Sequence, residues 1–295
     1  MKKRLAVLGI SAVMMTGLIS GLTAGAAEVS YEEQSIGLEG VANARQLGGY
    51  IGADGKKVKE NLLLRTGKLT DATQADLAKL TDTYHVTKII DFRTSFEKEE
   101  APDPEVAGAE NLWISILEEE GDTSNLAATV SSSADPVQML IDYAKSGKVE
   151  TMYTDIVVNE HSQAGYTQFF DELLNQEDGA ILWHCTGGKD RAGLATVLLL
   201  SALGVEEDTI MADFELSNVA YQDNIAYMVQ MAEEKGCTED EVAGVKNLSG
   251  VNAEYMQNAL DLIDDEYGSM QEYLNNQLDV SEEDIAALQA KYLEN

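Results

Sequence analysis

Ten consecutive residues, His184 to Gly193 (HCTGGKDRAG), constrain this chain more than any other stretch. The apolar run Ala180 to Trp183 comes before them and reads as a buried strand. Leu194 to Leu203 comes after, almost wholly apolar and long enough for a buried helix. Cys185 therefore falls at a strand end, and Arg191 at about the start of a helix. A tight turn entering a helix presents backbone N–H groups that bind an anion, helped by the helix dipole. Gly187 and Gly188 let that backbone curl without Cβ clashes. A cysteine facing such groups, with the cations of Lys189 and Arg191 near it, is favoured as the thiolate. Arg191 adds a planar fork that can hold two phosphate oxygens. Cysteine, five residues, arginine thus describes a phosphate cradle with a nucleophile at its floor. The spacing alone occurs by chance in many chains, and the plain alternative is a buried cysteine beside a nucleotide-type glycine turn. The strand before it, Gly-Gly-Lys-Asp within it and the apolar helix after it supply the context the chemistry needs.

The rest of the chain sets the frame. Lys2, Lys3 and Arg4 head an apolar segment, Leu5 to Leu22, that ends in Ala24-Gly25-Ala26. This has the form of a cleaved export signal over residues 1–26, and its Gly, Ser and Thr content argues against a retained span. Residues 27–295 show no repeat and no Pro-rich linker, and are long enough for one large core. The whole chain carries a net charge of −32, and removal of the basic head makes it more acidic still. Nucleic acid and anionic membrane surfaces are thereby disfavoured as bulk partners. A phosphate ester would have to be captured by a local positive site. Beyond the leader, arginine occurs only at Arg45, Arg65, Arg93 and Arg191, as if reserved for particular places.

Cys185 and Cys237 are the only cysteines, so no disulfide framework is expected. His85, His161 and His184 have no metal-ligand spacing, and neither metal nor cofactor is expected. His85 reads as the end of a helix–strand connection, and His161 as part of a polar loop. Leu62 to Leu64 is a short apolar run, Asp71 to Leu80 a short amphipathic helix, and Val86 to Phe92 and Leu112 to Ile116 are strands. Asp91 and Arg93, two apart on a strand, share a face. Arg93 with Glu97 reads as an ion pair tying that strand end to a loop. The stretch 118–150 has an acidic start, a Ser-rich middle and a small helix near Val137 to Tyr143, as in a mobile cover or a plain loop. Tyr166, Phe169, Phe170, Leu173 and Leu174 follow helical spacing and form core. Ser281 with Asp284 can cap the last helix.

The 184–193 stretch resembles the cysteine-dependent phosphatase superfamily. Within it, the chain is most similar to the atypical bacterial branch of secreted tyrosine and phosphoinositide phosphatases, whose signature is His-Cys-x-x-Gly-Lys-Asp-Arg-Thr-Gly. Asn43 to Gly49 (NARQLGG) is similar to that family's Asn-x-Arg-Asp-Leu-Gly-Gly, with Gln46 in place of the acid. Arg65-Thr66-Gly67, the Asp91-Phe92-Arg93…Glu97…Pro102 segment, Asp213 to Asn218 and Val251 to Tyr273 also match its pattern.

The resemblance implies one α/β domain, a central, mostly parallel sheet flanked by helices, with a helical lid near 118–150. It implies a secreted, metal-independent phosphomonoester phosphatase acting on phosphorylated protein or lipid, and a monomer is expected. Cys185 would be the nucleophile, Arg191 the phosphate clamp and Asp190 the general acid, with Asp91 the next candidate. Thr186, Gly187, Gly188, Lys189, Ala192 and Gly193 would line the substrate, and Lys189 accompanies substrates bearing additional phosphates. His184 would orient the loop and tune the thiolate, and Arg45 and Arg93 would support it. Ala192 departs from the family, which has a hydroxyl there to hydrogen-bond the cysteine sulfur; Thr186 is the residue that could replace it. Two other readings stay open: an inositol-polyphosphate phosphatase, and a phosphate-binding module without turnover.

Overall fold

The computed structural model describes residues 29–119, 130 and 133–294. The leader read at 1–26, and residues 120–129, 131 and 132 of the 118–150 insertion, lie outside them. Five strands form one sheet: β1 (Arg45–Gln46), β2 (Leu63–Thr66), β3 (Val86–Asp91), β4 (Glu110–Trp113) and β5 (Ala180–His184), in the order β1-β2-β5-β3-β4. Only β1 runs antiparallel, against β2; the remaining pairs are parallel. The expected α/β architecture is therefore the observed one. β5 is central and buried throughout, which is why its sequence is an unbroken apolar run.

Side-chain alternation assigns the two faces. Leu63, Ile90, Ile181 and Trp183 face the larger core, and Leu64, Ile89, Ala180 and Leu182 face a smaller one with Leu69 and Leu80. The helices are α1 (Tyr31–Gln34), α2 (Gln74–Ala78), α3 (Ser95–Glu100), α4 (Pro136–Lys145), α5 (Met152–Val158), α6 (Glu160–Leu174) and α7 (Arg191–Ala202), then α8 (Glu207–Ala220), α9 (Gln222–Glu234), α10 (Glu239–Ser249), α11 (Ala253–Tyr267), α12 (Met270–Gln277) and α13 (Glu282–Tyr292). The larger core takes Tyr166, Phe169, Phe170 and Leu173 from α6 and nearly all of α7. Ser281 and Asp284 form the expected capping box on α13.

Three local expectations change. Helix 71–80 is shorter at its start, because Thr73 and Asp76 form a capping box, and it continues as a wider turn to Thr83. β4 ends at Trp113 rather than Ile116; Ile114 and Ile116 still donate to the carbonyls of Asp91, the last residue of β3, and Phe92, the residue after it. His161 belongs to α6, not to a loop, because the Asn159 side chain accepts from Ser162 N–H and starts the helix before it. The described part of the insertion is anchored too: Val137, Leu140 and Ile141 of α4 pack on Met228 and Ala232 of α9 and Val245 of α10.

Candidate active site

The loop between β5 and α7 is shaped from outside. The carbonyl of Thr186 accepts from Lys68 N–H at 3.1 Å. That of Gly187 accepts from the Tyr221 hydroxyl at 2.8 Å and from Asn43 Nδ2 at 3.3 Å. That of Gly188 accepts from Arg65 Nη2 at 2.7 Å and Asn43 Nδ2 at 3.1 Å. Three successive carbonyls are thus held outward. A trans peptide sets its N–H opposite its C=O, so the N–H groups of Gly187, Gly188 and Lys189 turn to the inner side. None of the three donates to another described residue. Gly188 is the glycine the curl requires. Its φ is +62°, and a Cβ there would stand 2.2 Å from the Thr66 carbonyl oxygen. Gly187 would meet nothing closer than 3.4 Å.

Buried charges brace this bowl, and the four arginines among the described residues, Arg45, Arg65, Arg93 and Arg191, are all buried. Asp213 of α8 receives Arg45 Nε at 3.0 Å, Arg65 Nη1 at 3.0 Å and the Tyr50 hydroxyl at 2.9 Å. Burial alone would raise the Asp213 carboxyl, but the two guanidiniums hold it below the usual carboxylate range. Burial and the neighbouring Arg45 lower Arg65 to about 10, still cationic at neutral pH. Arg191, in the first turn of α7, is gripped by Glu97 of α3: Nη1 to Oε2 at 2.6 Å and Nη2 to Oε1 at 2.8 Å. Burial works against both charges. Each nevertheless favours the other's ionised form, so Glu97 is held low and Arg191 high. Cys185, 1% exposed, sits at the floor and belongs, like Ala192, to the main core.

Asp190 precedes α7 and makes no side-chain cap to it. Its Oδ1 accepts instead from the hydroxyl of Tyr153 on α5, at 2.7 Å. This juxtaposition of a buried cysteine, inward N–H groups, a clamped arginine and a carboxyl is suited to attack on a phosphate ester.

A model described as the tyrosine phosphatase family matches residues 36–294. The chain belongs to that family. A Cupriavidus necator protein whose name places it among tyrosine-protein phosphatases is 30% identical over 256 residues, 86% of each chain. A tyrosine-protein phosphatase of Nostoc commune is 30% identical over 152 residues, 51% of this chain and 45% of the relative. The triple specificity protein phosphatase PtpB of Mycobacterium tuberculosis is 36% identical over 98 residues, 30% of this chain and 36% of the relative. The protein is accordingly an enzyme of the tyrosine phosphatase family.

Several residues expected at this tyrosine phosphatase site stand differently in the structure. The Lys189 ammonium does not enter the bowl. It donates to the carbonyls of Leu248 at 2.5 Å and Gly250 at 2.7 Å, where the end of α10 supplies negative dipole. Arg93 does not pair with Glu97. It takes Asp91 in a fork, Nε to Oδ1 at 2.9 Å and Nη2 to Oδ2 at 2.8 Å, and also binds Asp103. Burial would raise Asp91, but the His184 and Arg93 beside it keep it low. Asp91 is therefore a poor proton donor, and its place is to hold the strand end. His184 lies between Asp91 (Nδ1 to Oδ1, 3.8 Å) and Asp103 (Nε2 to Oδ2, 3.4 Å). These three groups lie close enough together to share an ion, but the Arg93 guanidinium spans both carboxylates and fills the place of a cation. The Thr186 hydroxyl donates to Glu97 Oε1. Its proton is thus spent, and it does not replace the hydroxyl missing at Ala192. Glu97, Arg65, Asp213, Tyr153 and Tyr221 carry the site without having been singled out as site residues. For Arg65 and Asp213 the signal was present, in the scarcity of arginine and in the Asp213 to Asn218 match.

Proposed function

We propose that the enzyme hydrolyses phosphotyrosine in proteins through a cysteinyl-phosphate intermediate. Cys185 Sγ attacks phosphorus in line, forming the S–P bond as the ester P–O bond breaks. Asp190 gives its proton to the departing phenolic oxygen. Water then attacks phosphorus, passing its proton to Asp190, and the sulfur leaves as thiolate. The inward N–H groups and Arg191 hold the equatorial oxygens in both steps. The observation that carries this reading is the set of outward-held carbonyls at Thr186, Gly187 and Gly188, which turns three N–H groups toward the floor where Cys185 lies.

Phosphotyrosine rather than a phosphoinositide is favoured as substrate because the Lys189 ammonium is occupied by the Leu248 and Gly250 carbonyls, so the bowl is furnished for a single phosphate. The basic head and apolar run of residues 1–26 support action outside the cytoplasm. The test is Cys185→Ser assayed on a phosphotyrosine peptide. Turnover should vanish while phosphate still binds, and Cys237→Ser should keep full turnover. An active Cys185→Ser enzyme would sink the mechanism.

A further inference from the structure

Asp190 occupies the position just before α7 where an aspartate ordinarily caps the helix by accepting from its first N–H groups. It makes no such bond. Capping would spend the carboxyl on those N–H groups, which an incoming phosphate needs. The hydroxyl that holds Asp190 away comes from Tyr153, 37 residues earlier in the chain, at 2.7 Å. The Tyr153 ring is itself fixed: it is 1% exposed and meets Phe214 edge-on at 5.7 Å between centroids. The Tyr153 hydroxyl therefore has little freedom to drift, and it offers Asp190 a fixed anchor.

We propose that Tyr153 is the positioning residue of the acid–base step: its hydroxyl, on a ring locked into the core, holds Asp190 Oδ1 and leaves Oδ2 to carry the proton exchanged with the leaving group and then with water. This rests on Asp190 being the general acid. Burial, and next the Asp190 charge, raise the Tyr153 phenol well above its usual range. The hydroxyl therefore stays a donor throughout the cycle, whichever protonation state Asp190 is in. A phenol that gave up its proton would instead repel the carboxylate and release it.

The experiment compares wild type, Tyr153→Phe, Asp190→Asn and the double variant on aryl phosphates, from nitrophenyl to unsubstituted phenyl, reading kcat/KM so that only steps up to S–P formation count. Phenylalanine keeps the ring and its packing. Tyr153→Phe should lower kcat/KM roughly tenfold on phenyl phosphate and about twofold or less on nitrophenyl phosphate, a part of the full general-acid effect. Asp190→Asn should show the same slope more steeply, and the double variant should match it, since Tyr153 acts only through Asp190. Inhibition by inorganic phosphate should be unchanged in Tyr153→Phe. Equal losses on both esters, additivity with Asp190→Asn, or weakened phosphate inhibition would overturn the positioning role. If Asp190→Asn itself lacked the slope, the acid assignment would fall first. If it showed the slope and Tyr153→Phe did not, only Tyr153 would fall.

Discussion

Replacing Glu97 by glutamine removes one charge from a buried pair while keeping the side chain's shape. Glu97 binds both terminal nitrogens of Arg191 and accepts from Thr94 N–H at 3.0 Å and from the Thr186 hydroxyl. Glutamine would set an NH2 group against a guanidinium that remains buried and charged. Breaking a buried pair from one side costs about 3–5 kcal/mol. At ~2–4 °C per kcal/mol for a domain of this size, the melting temperature at neutral pH should fall on the order of 10 °C. Because the Glu97 carboxyl is held below its ordinary value in the folded protein, its contribution is complete above the unfolded value of about 4.3 and is lost as pH drops toward the depressed folded value. The difference between wild type and Glu97→Gln should therefore be full at neutral pH and shrink in acid. Asp91 and Asp213, also held low, are present in both proteins and cancel from the difference. A clamp free to move by ~1 Å should also lower kcat/KM on the order of a hundredfold. Thermal unfolding followed by circular dichroism across a pH series, with a steady-state assay, measures all of this. A difference under ~2 °C at neutral pH, against the ~10 °C expected, or a gap that persists unchanged in acid, would refute the account of Glu97 as the counter-charge of Arg191.

Among the described residues no hydroxyl donates to the Cys185 sulfur, so breakdown of the cysteinyl-phosphate should be the slow step. Rapid mixing with an activated aryl phosphate should give a burst near one phenol per active site, and Ala192→Thr should raise steady-state turnover on the order of tenfold; no burst and no gain would place the slow step elsewhere. Gly188→Ala should unfold or inactivate the loop, because its Cβ would meet the Thr66 backbone. Gly49→Ala, at φ +90° with nothing near its Cβ, should cost only the strain of about 1–2 kcal/mol; comparable melting temperatures for the two variants would show the Thr66 contact to be unimportant.

What could be read from the sequence alone was what lies close along the chain. The strand, the loop and the apolar helix around Cys185 are contiguous, so periodicity and Gly188 announce them together. The unbroken apolar run from Ala180 to Trp183 likewise announced a buried strand, whereas the parallel sheet around it was implied by the family resemblance. The pairing of charges could not be read this way. Arg93 had Asp91, Glu97 and Asp103 all within ten residues, and strand direction plus the turn into α3 decided that Glu97 leaves it for Arg191, 94 residues away. Lys189 has the same local sequence whether it faces a second phosphate or the end of α10, and only the packing of α10 against the loop places the Leu248 and Gly250 carbonyls within its reach. Tyr153 carries no local signal in the sequence, and only folding brings its hydroxyl to Asp190. Local propensity and pattern act over a few residues, whereas the partner of a buried polar group is whichever group the folded chain brings within about 3 Å, and that distance exists only in the tertiary structure.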